Sequence, residues 1–172
     1  MDGSDDKEYG KSMKESSVWD LSLDLTKENW FVYEDFYGTS EEKYLVKYIQ
    51  QLHPKLKNKY DDIYLVRSER AIRIYDFHTG QAFEPDFLLF MRKKEDGKFL
   101  NMQIFIEPKG EHLREHDEWK EDFLKEIHDN AVVIFETQVN HFKIWGMPFY
   151  TNKDEISFDK AMNKEFGVSG WE

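Results

Sequence analysis

Two short strings in this sequence combine residue types able to do chemistry at close quarters, Glu84-Pro85-Asp86 and Glu107-Pro108-Lys109. The first opens an apolar run from Pro85 to Met91, and the second closes a run from Met102 to Lys109. Between the runs lies the charged turn Lys93-Lys94-Glu95-Asp96-Gly97-Lys98, so the pattern predicts two strands paired antiparallel. Folding that hairpin brings Asp86 to Glu107. Residues two apart on a strand share a face, so Glu107 and Lys109 point one way and Pro108 the other. Proline has no amide to donate, which puts Pro108 at a strand end or edge with its carbonyl still available.

Two carboxylates desolvated side by side repel each other, and a hard divalent cation such as magnesium or manganese relieves the repulsion through oxygen ligands. An adjacent ammonium can hold an attacking water and oppose charge building on a phosphate. The metal acidifies that water and polarises phosphorus–oxygen bonds. The chemistry is phosphodiester hydrolysis. Each string alone is ordinary, because Pro-Asp pairs mark turns and Glu-x-Lys on a strand is commonly a surface ion pair. The combination is what carries meaning.

The elements that must position these groups follow from periodicity. Ser40, followed by Glu41 and Glu42, reads as the start of a helix running to about Leu52. Leu45, Tyr48, Ile49 and Leu52 form its buried face, Pro54 ends the pattern, and Glu42 borders the face three residues before Leu45. Ile63 to Arg67 and Ala71 to Phe77 are strand-like and expected to form a hairpin. Asp117 to Ile127 is helical, with Trp119, Phe123 and Ile127 spaced by four. Ala131 to Glu136 and His141 to Trp145 are strand-like, and Phe158 to Phe166 is a terminal helix ended by Gly167. The order predicts an α/β fold, a mixed β-sheet flanked by helices.

Length and composition bound the function. The 172 residues fit one domain, and 14 Phe, 9 Tyr and 5 Trp supply a core. Residues 1–17 are polar and charged, expected to fray, which leaves 18–172 as a single domain. Alternation at Trp19, Leu21, Leu23 and Leu25 suggests an extended segment ahead of the first helix. No apolar run reaches the ~20 residues of a membrane span, and no secretory apolar stretch occupies the first 17 residues. With no cysteine, disulfides and thiolate zinc sites are excluded, and a reducing cytoplasmic setting is expected. The net charge of -11 opposes nucleic-acid binding by a uniform surface. Yet from Lys43 to Arg73 eight basic residues face three acidic ones, a candidate stripe for phosphates.

A helix with an acid at its start, a strand with Pro-Asp, a hairpin and a strand ending Glu-x-Lys, then helix and strand, resembles the PD-(D/E)xK nuclease superfamily. Glu42-Lys43-Tyr44-Leu45-Val46 is similar to the first-helix motif of archaeal Holliday-junction resolvases in that group. Closer still, four stretches resemble the C-terminal endonuclease domain of the restriction subunit of type III restriction enzymes. They are Tyr37 to Lys43, Phe83 to Phe90, Ile106 to Leu113 and Asp117-Glu118-Trp119-Lys120. The likeness spans roughly Trp30 to Trp145. It implies a restriction-endonuclease-like sheet and magnesium-dependent cleavage of DNA. Asp86, Glu107 and the Pro108 carbonyl would be metal contacts, Lys109 would position the nucleophile, and Glu42, or Glu41 in its stead, would be an accessory acid. It also implies an ATPase motor or a modification methyltransferase as partner. No Gly-x-x-x-x-Gly-Lys-[Ser/Thr] loop occurs in these residues, so the motor itself is not encoded here.

Two rival readings remain. His112-Leu113-Arg114-Glu115-His116 matches the His-x-x-Glu-His pattern of inverted zinc peptidases, which needs a helix at 112–116 and a distant third ligand. Gly110 lies just upstream, and clear helical periodicity begins only near Asp117. The other is a nuclease fold retained as a catalytically silent DNA-binding or protein-interaction module. Intact Asp86, Glu107 and Lys109 argue against it, since without catalysis nothing requires two repelling acids there.

Overall fold

Thr39, not Ser40, caps the first helix. In the computed structural model, which describes residues 25–32, 38–76, 78–110, 117–130 and 133–171, helix α1 spans Ser40–Lys57. The Thr39 hydroxyl accepts from the Glu42 amide, and the Glu42 carboxylate accepts from the Thr39 amide, a reciprocal box that satisfies two otherwise orphaned donors. Pro54 lies inside α1 rather than ending it. The helix forgoes one backbone hydrogen bond there and continues to Leu56, fully buried beneath Leu45, Ile49 and Leu52.

Strand β1 (Asp62–Arg67) is followed by the two-residue strands β2 (Ile74–Tyr75) and β3 (Ala82–Phe83), then by β4 (Phe87–Glu95) and β5 (Lys98–Ile106). Helix α2 (Glu118–Asn130), strands β6 (Val133–Glu136) and β7 (Asn140–Gly146), and helix α3 (Glu155–Phe166) complete the order. The expected hairpin between 63–67 and 71–77 does not form. β1 pairs instead with β4, while β2 and β3 make a small ribbon of their own. Only two residues of the second run are extended, because the turn after Arg67 leads the chain out of the main sheet.

The main sheet has the order β1-β4-β5-β7-β6. β1, β4 and β5 run antiparallel, β7 runs parallel to β5, and β6 antiparallel to β7. This is the mixed sheet flanked by helices that the element order predicts. Alternation on β4 and β5 divides the core into two layers. Phe87, Leu89, Met102, Ile104 and Ile106 pack with α1 and α3, whereas Leu88 and Phe105 pack with Phe123, Leu124 and Ile127 of α2. α2 approaches β7 so closely that a Cβ on Gly146 would stand 2.0 Å from the Leu124 carbonyl oxygen. Gly167 ends α3 in the left-handed conformation, with φ 63°.

Of the aromatic segment ahead of α1, the described part buries Leu25, Trp30 and Phe31. Phe31 bridges Leu65 at the outer side of β1. The expected fraying at 1–17 and the alternation at 19–23 lie outside the described residues. Among the described residues, no helix is long and apolar enough to cross a membrane.

Candidate active site

The register of β4 and β5 decides where the acids meet. Phe87 faces Ile106, so Asp86 and Glu107 are the next opposed pair just beyond the strand ends, on the face that Leu88 and Phe105 turn toward α2. The Asp86 amide donates to Oε2 of Glu107 at 3.1 Å. The Asp86 carbonyl accepts from the Ser68 amide at 2.8 Å, tying the turn after β1 to the same spot.

Pro108 lies two residues past the end of β5, where its missing amide costs the sheet nothing, and it bridges Tyr150 in parallel. That bridge uses the Glu107 carbonyl (3.0 Å from the Tyr150 amide) and the Lys109 amide (2.8 Å from the Tyr150 carbonyl), so the imino nitrogen of Pro108 leaves no gap in it. The same contacts clamp the backbone on both sides of the candidate metal contact.

Four charged side chains converge on this point. Glu107 is 2% exposed. Lys109 Nζ lies 3.4 Å from Glu107 Oε1 and 2.7 Å from Asp117 Oδ2. Lys120, three residues into the next helix turn, reaches Asp117 Oδ1 at 3.2 Å and Glu107 Oε1 at 3.8 Å. Glu107 and Lys109 thus share a face as their spacing predicts. Sequence reasoning gave Asp117 and Lys120 no role. Their signal is the i,i+3 pairing of opposite charges at the start of α2, which is common on any helix.

The electrostatics are those of crowded acids. Burial above all, then the charges of Glu107 and Glu42, pushes Asp86 up to about 7 against the pull of Lys109 and Lys120. Burial raises Glu107 too, opposed by the same two lysines. Burial alone would lower Lys109, but Asp117, Glu107 and Asp86 together hold it above its ordinary value. Asp117 is held low, since Lys109 and Lys120 outweigh its partial burial.

Glu42 is buried and accepts from Arg67 at 3.1 Å while closing the α1 cap, and its charge is felt at Asp86. Glu41 instead accepts from the Asn152 amide at 2.8 Å.

The donor set suits a hard cation. Two carboxylates meet at one register, both pushed by burial toward holding a proton even with Lys109 and Lys120 beside them, and the next residue after Glu107, Pro108, adds a backbone carbonyl. Among the described residues no three or more acidic or histidine side chains form a complete cage, so solvent would fill the remaining positions. Magnesium binds in that manner, through one or two carboxylates plus waters.

The basic run from Lys43 to Arg73 is not one surface. Lys43 is buried. Lys55 donates to the Ser169 carbonyl and Lys59 to the Gly167 carbonyl, where the C-terminal end of α3 attracts cations. Arg67 at the end of β1 pairs with Glu42, and Arg73 pairs with Glu84. Arg67, Glu69, Arg70, Glu84, Pro85 and Asp86 line a cleft of about 370 Å³. The His112-x-x-Glu115-His116 pattern lies outside the described residues.

Comparison with known proteins adds lineage. Residues 10–169 match the family model HI_1054_C, described as a C-terminal domain. A Haemophilus influenzae protein, named only as an uncharacterized protein, is 38% identical over 138 residues. That match covers 76% of this chain and 30% of the relative, so the chain spans about 30% of that curated relative's length. No solved structure matches the chain.

Proposed function

The chain belongs to the HI_1054_C domain family, and we propose that this member is a divalent-metal-dependent nuclease domain that hydrolyses DNA. The single observation that carries the reading is the opposition of Asp86 and Glu107 at one register, with Lys109 Nζ 3.4 Å from the Glu107 carboxylate. Further support comes from the restriction-endonuclease-like order of elements around them and from the motifs shared with type III restriction subunits.

In this reading Asp86, Glu107 and the Pro108 carbonyl would hold magnesium or manganese. When bound, the cation supplies Lewis-acid polarisation of the phosphodiester and makes an attacking water more acidic. Lys109 orients that water and opposes the negative charge that grows on the phosphate. Water adds to phosphorus as it gives up a proton to solvent, the bond to the sugar oxygen breaks, and that oxygen takes a proton from solvent to leave as a hydroxyl. Glu42 keeps Arg67 fixed beside the centre and adds to its negative potential. The setting is cytoplasmic, and site selection rests with a partner such as an ATPase motor or a methyltransferase.

Incubation of supercoiled plasmid, linear duplex and RNA with magnesium tests the reading. Metal-dependent scission by the wild type, lost in Asp86→Ala and in Lys109→Ala, is the expected result. Binding of DNA without scission under magnesium or manganese would instead make the domain a silent binding module.

A further inference from the structure

The Ala71 amide donates to the Ser68 carbonyl at 2.8 Å and closes a turn whose central residues, Glu69 and Arg70, have φ of 46° and 63°. Both lie in the left-handed region, where Cβ crowds the backbone and Gly, Asn or Asp is the usual occupant. Between β4 and β5 the chain meets the same demand with Asp96-Gly97, φ 49° and 78°, where the turn merely joins two strands. At 69–70 it places a glutamate and an arginine instead. Strain that a simpler residue choice would relieve tends to gather where side chains have work to do.

Three observations identify the side chain and its work. Arg67, Arg73 and Arg92 carry ion pairs with Glu42, Glu84 and Asp62, whereas among the described residues none engages the Arg70 guanidinium. The turn is fastened to the acid centre, since the Ser68 amide donates to the Asp86 carbonyl. Arg67, Arg70 and Asp86 also share the walls of one cleft, and Arg73 neutralises Glu84 on that wall. A planar guanidinium with its donors free matches a phosphate bidentately.

We infer that Arg70 binds a backbone phosphate of the nucleic-acid strand, the one next to the phosphate cleaved at Asp86 and Glu107. This rests on the nuclease reading and names its first substrate-binding residue outside the metal centre. Arg67, drawn back onto Glu42, stands beside it and sets the inner limit of the subsite.

The test is Arg70→Gly, made in a Lys109→Ala background so that duplex DNA binds in magnesium without turnover. Glycine relieves the left-handed strain while removing the guanidinium, so binding and stability should move in opposite directions. The melting temperature is expected to rise by about 2–4 °C. DNA affinity, read by fluorescence anisotropy, is expected to fall about tenfold, and the slope of log K against log salt to shrink by about one. Arg92→Ala removes the same charge roughly 20 Å along β4 and should leave affinity and slope unchanged.

If the parent binds DNA and Arg70→Gly keeps its affinity and slope, the inference falls while the nuclease reading stands. A parent that neither binds nor, with Lys109 restored, cuts DNA removes both. Inorganic phosphate that protects the Arg70 protein from heat as well as an oligonucleotide does, and loses that effect in Arg70→Gly, would make this a free-anion site and overturn the strand assignment.

Discussion

The Asp86 amide donates to the Glu107 carboxylate at 3.1 Å, so two acids whose carboxylates repel are joined by a bond from the backbone of one to the side chain of the other. The strand carrying Asp86 cannot move away from Glu107 without breaking it. Repulsion is therefore held in place rather than relaxed, and a proton or a cation must answer it.

Stability of the metal-free protein should record the burial of Asp86 first and that repulsion second. Asp86 holds its proton up to about 7, against an ordinary value of 3.8. A raised acid favours the folded state below its unfolded value, and that advantage is lost as pH climbs from near 4 to near 7. Asp86→Asn should match the wild type at pH 4 and exceed it by about 1–3 kcal/mol at pH 8. Thermal unfolding in chelator at both pH values checks the sign.

Cation affinity should run the opposite way. Below about 7 a proton on Asp86 must leave before the site can bind, so apparent affinity rises up to about tenfold per pH unit and levels off above that point. Calorimetric titration with manganese between pH 5.5 and 8.5 measures it. A flat profile in the wild type would remove Asp86 from the ligand set.

Glu42 does two jobs that substitution can separate. It closes the α1 capping box and it pairs with Arg67 beside the acid centre. Gln can serve at the same position of such a box, but it carries no charge. Glu42→Gln should melt near the wild type yet cut DNA about tenfold more slowly, whereas Glu42→Ala should also lose about 1–2 kcal/mol of stability. Equal activity in Glu42→Gln and wild type would confine Glu42 to capping.

A buried cluster far in sequence from the site predicts acid lability. Asp159 accepts from the Tyr48 hydroxyl (2.6 Å), the Ser169 hydroxyl (2.6 Å) and the Gly170 amide (2.7 Å). Burial pushes its carboxyl up, but those donors together with Lys55 hold it below its ordinary value. The stabilisation is therefore present above 3.8 and lost as pH falls through the lower folded value. Asp159→Ala should cost about 2–4 kcal/mol at pH 7 and less near pH 2.

Legibility of this fold followed the range of the interactions that build it. Asp86 and Glu107 could be matched because a hairpin with a short charged turn fixes its own register, and the same holds for Gly167 as a helix stop. The partner of β1 was misread because the expected hairpin was local, while its actual neighbour, β4, lies across the β2–β3 ribbon. Pro54 was misread because a local propensity lost to the burial of Leu56. The basic run was left open as a stripe because charge in sequence says nothing about which carbonyls a lysine finds, and Lys55 and Lys59 found the end of α3. Asp117 and Lys120, though part of a stretch compared with type III enzymes, were given no role because only the folded chain brings Asp117 to Lys109 and Lys120 to Glu107.

Asp117 joins two lysines, and its influence on cleavage should pass through one of them. Its carboxylate lies 2.7 Å from Lys109 and 3.2 Å from Lys120, and it is the first of the acids that keep Lys109 charged despite burial. Asp117→Asn retains the shape and a hydrogen-bonding oxygen but removes the charge that draws Lys109 away from Glu107. If Asp117 serves by positioning Lys109, the substitution should slow single-turnover cleavage about tenfold in the Lys109 protein and change nothing in Lys109→Ala. Lys120→Ala, which leaves Lys109 with all its own partners, should cost less than Lys109→Ala. A loss from Asp117→Asn that persists at full size in Lys109→Ala would mean that Asp117 acts through Lys120 or on the substrate directly, since a residue working through Lys109 has nothing left to position once that ammonium is gone.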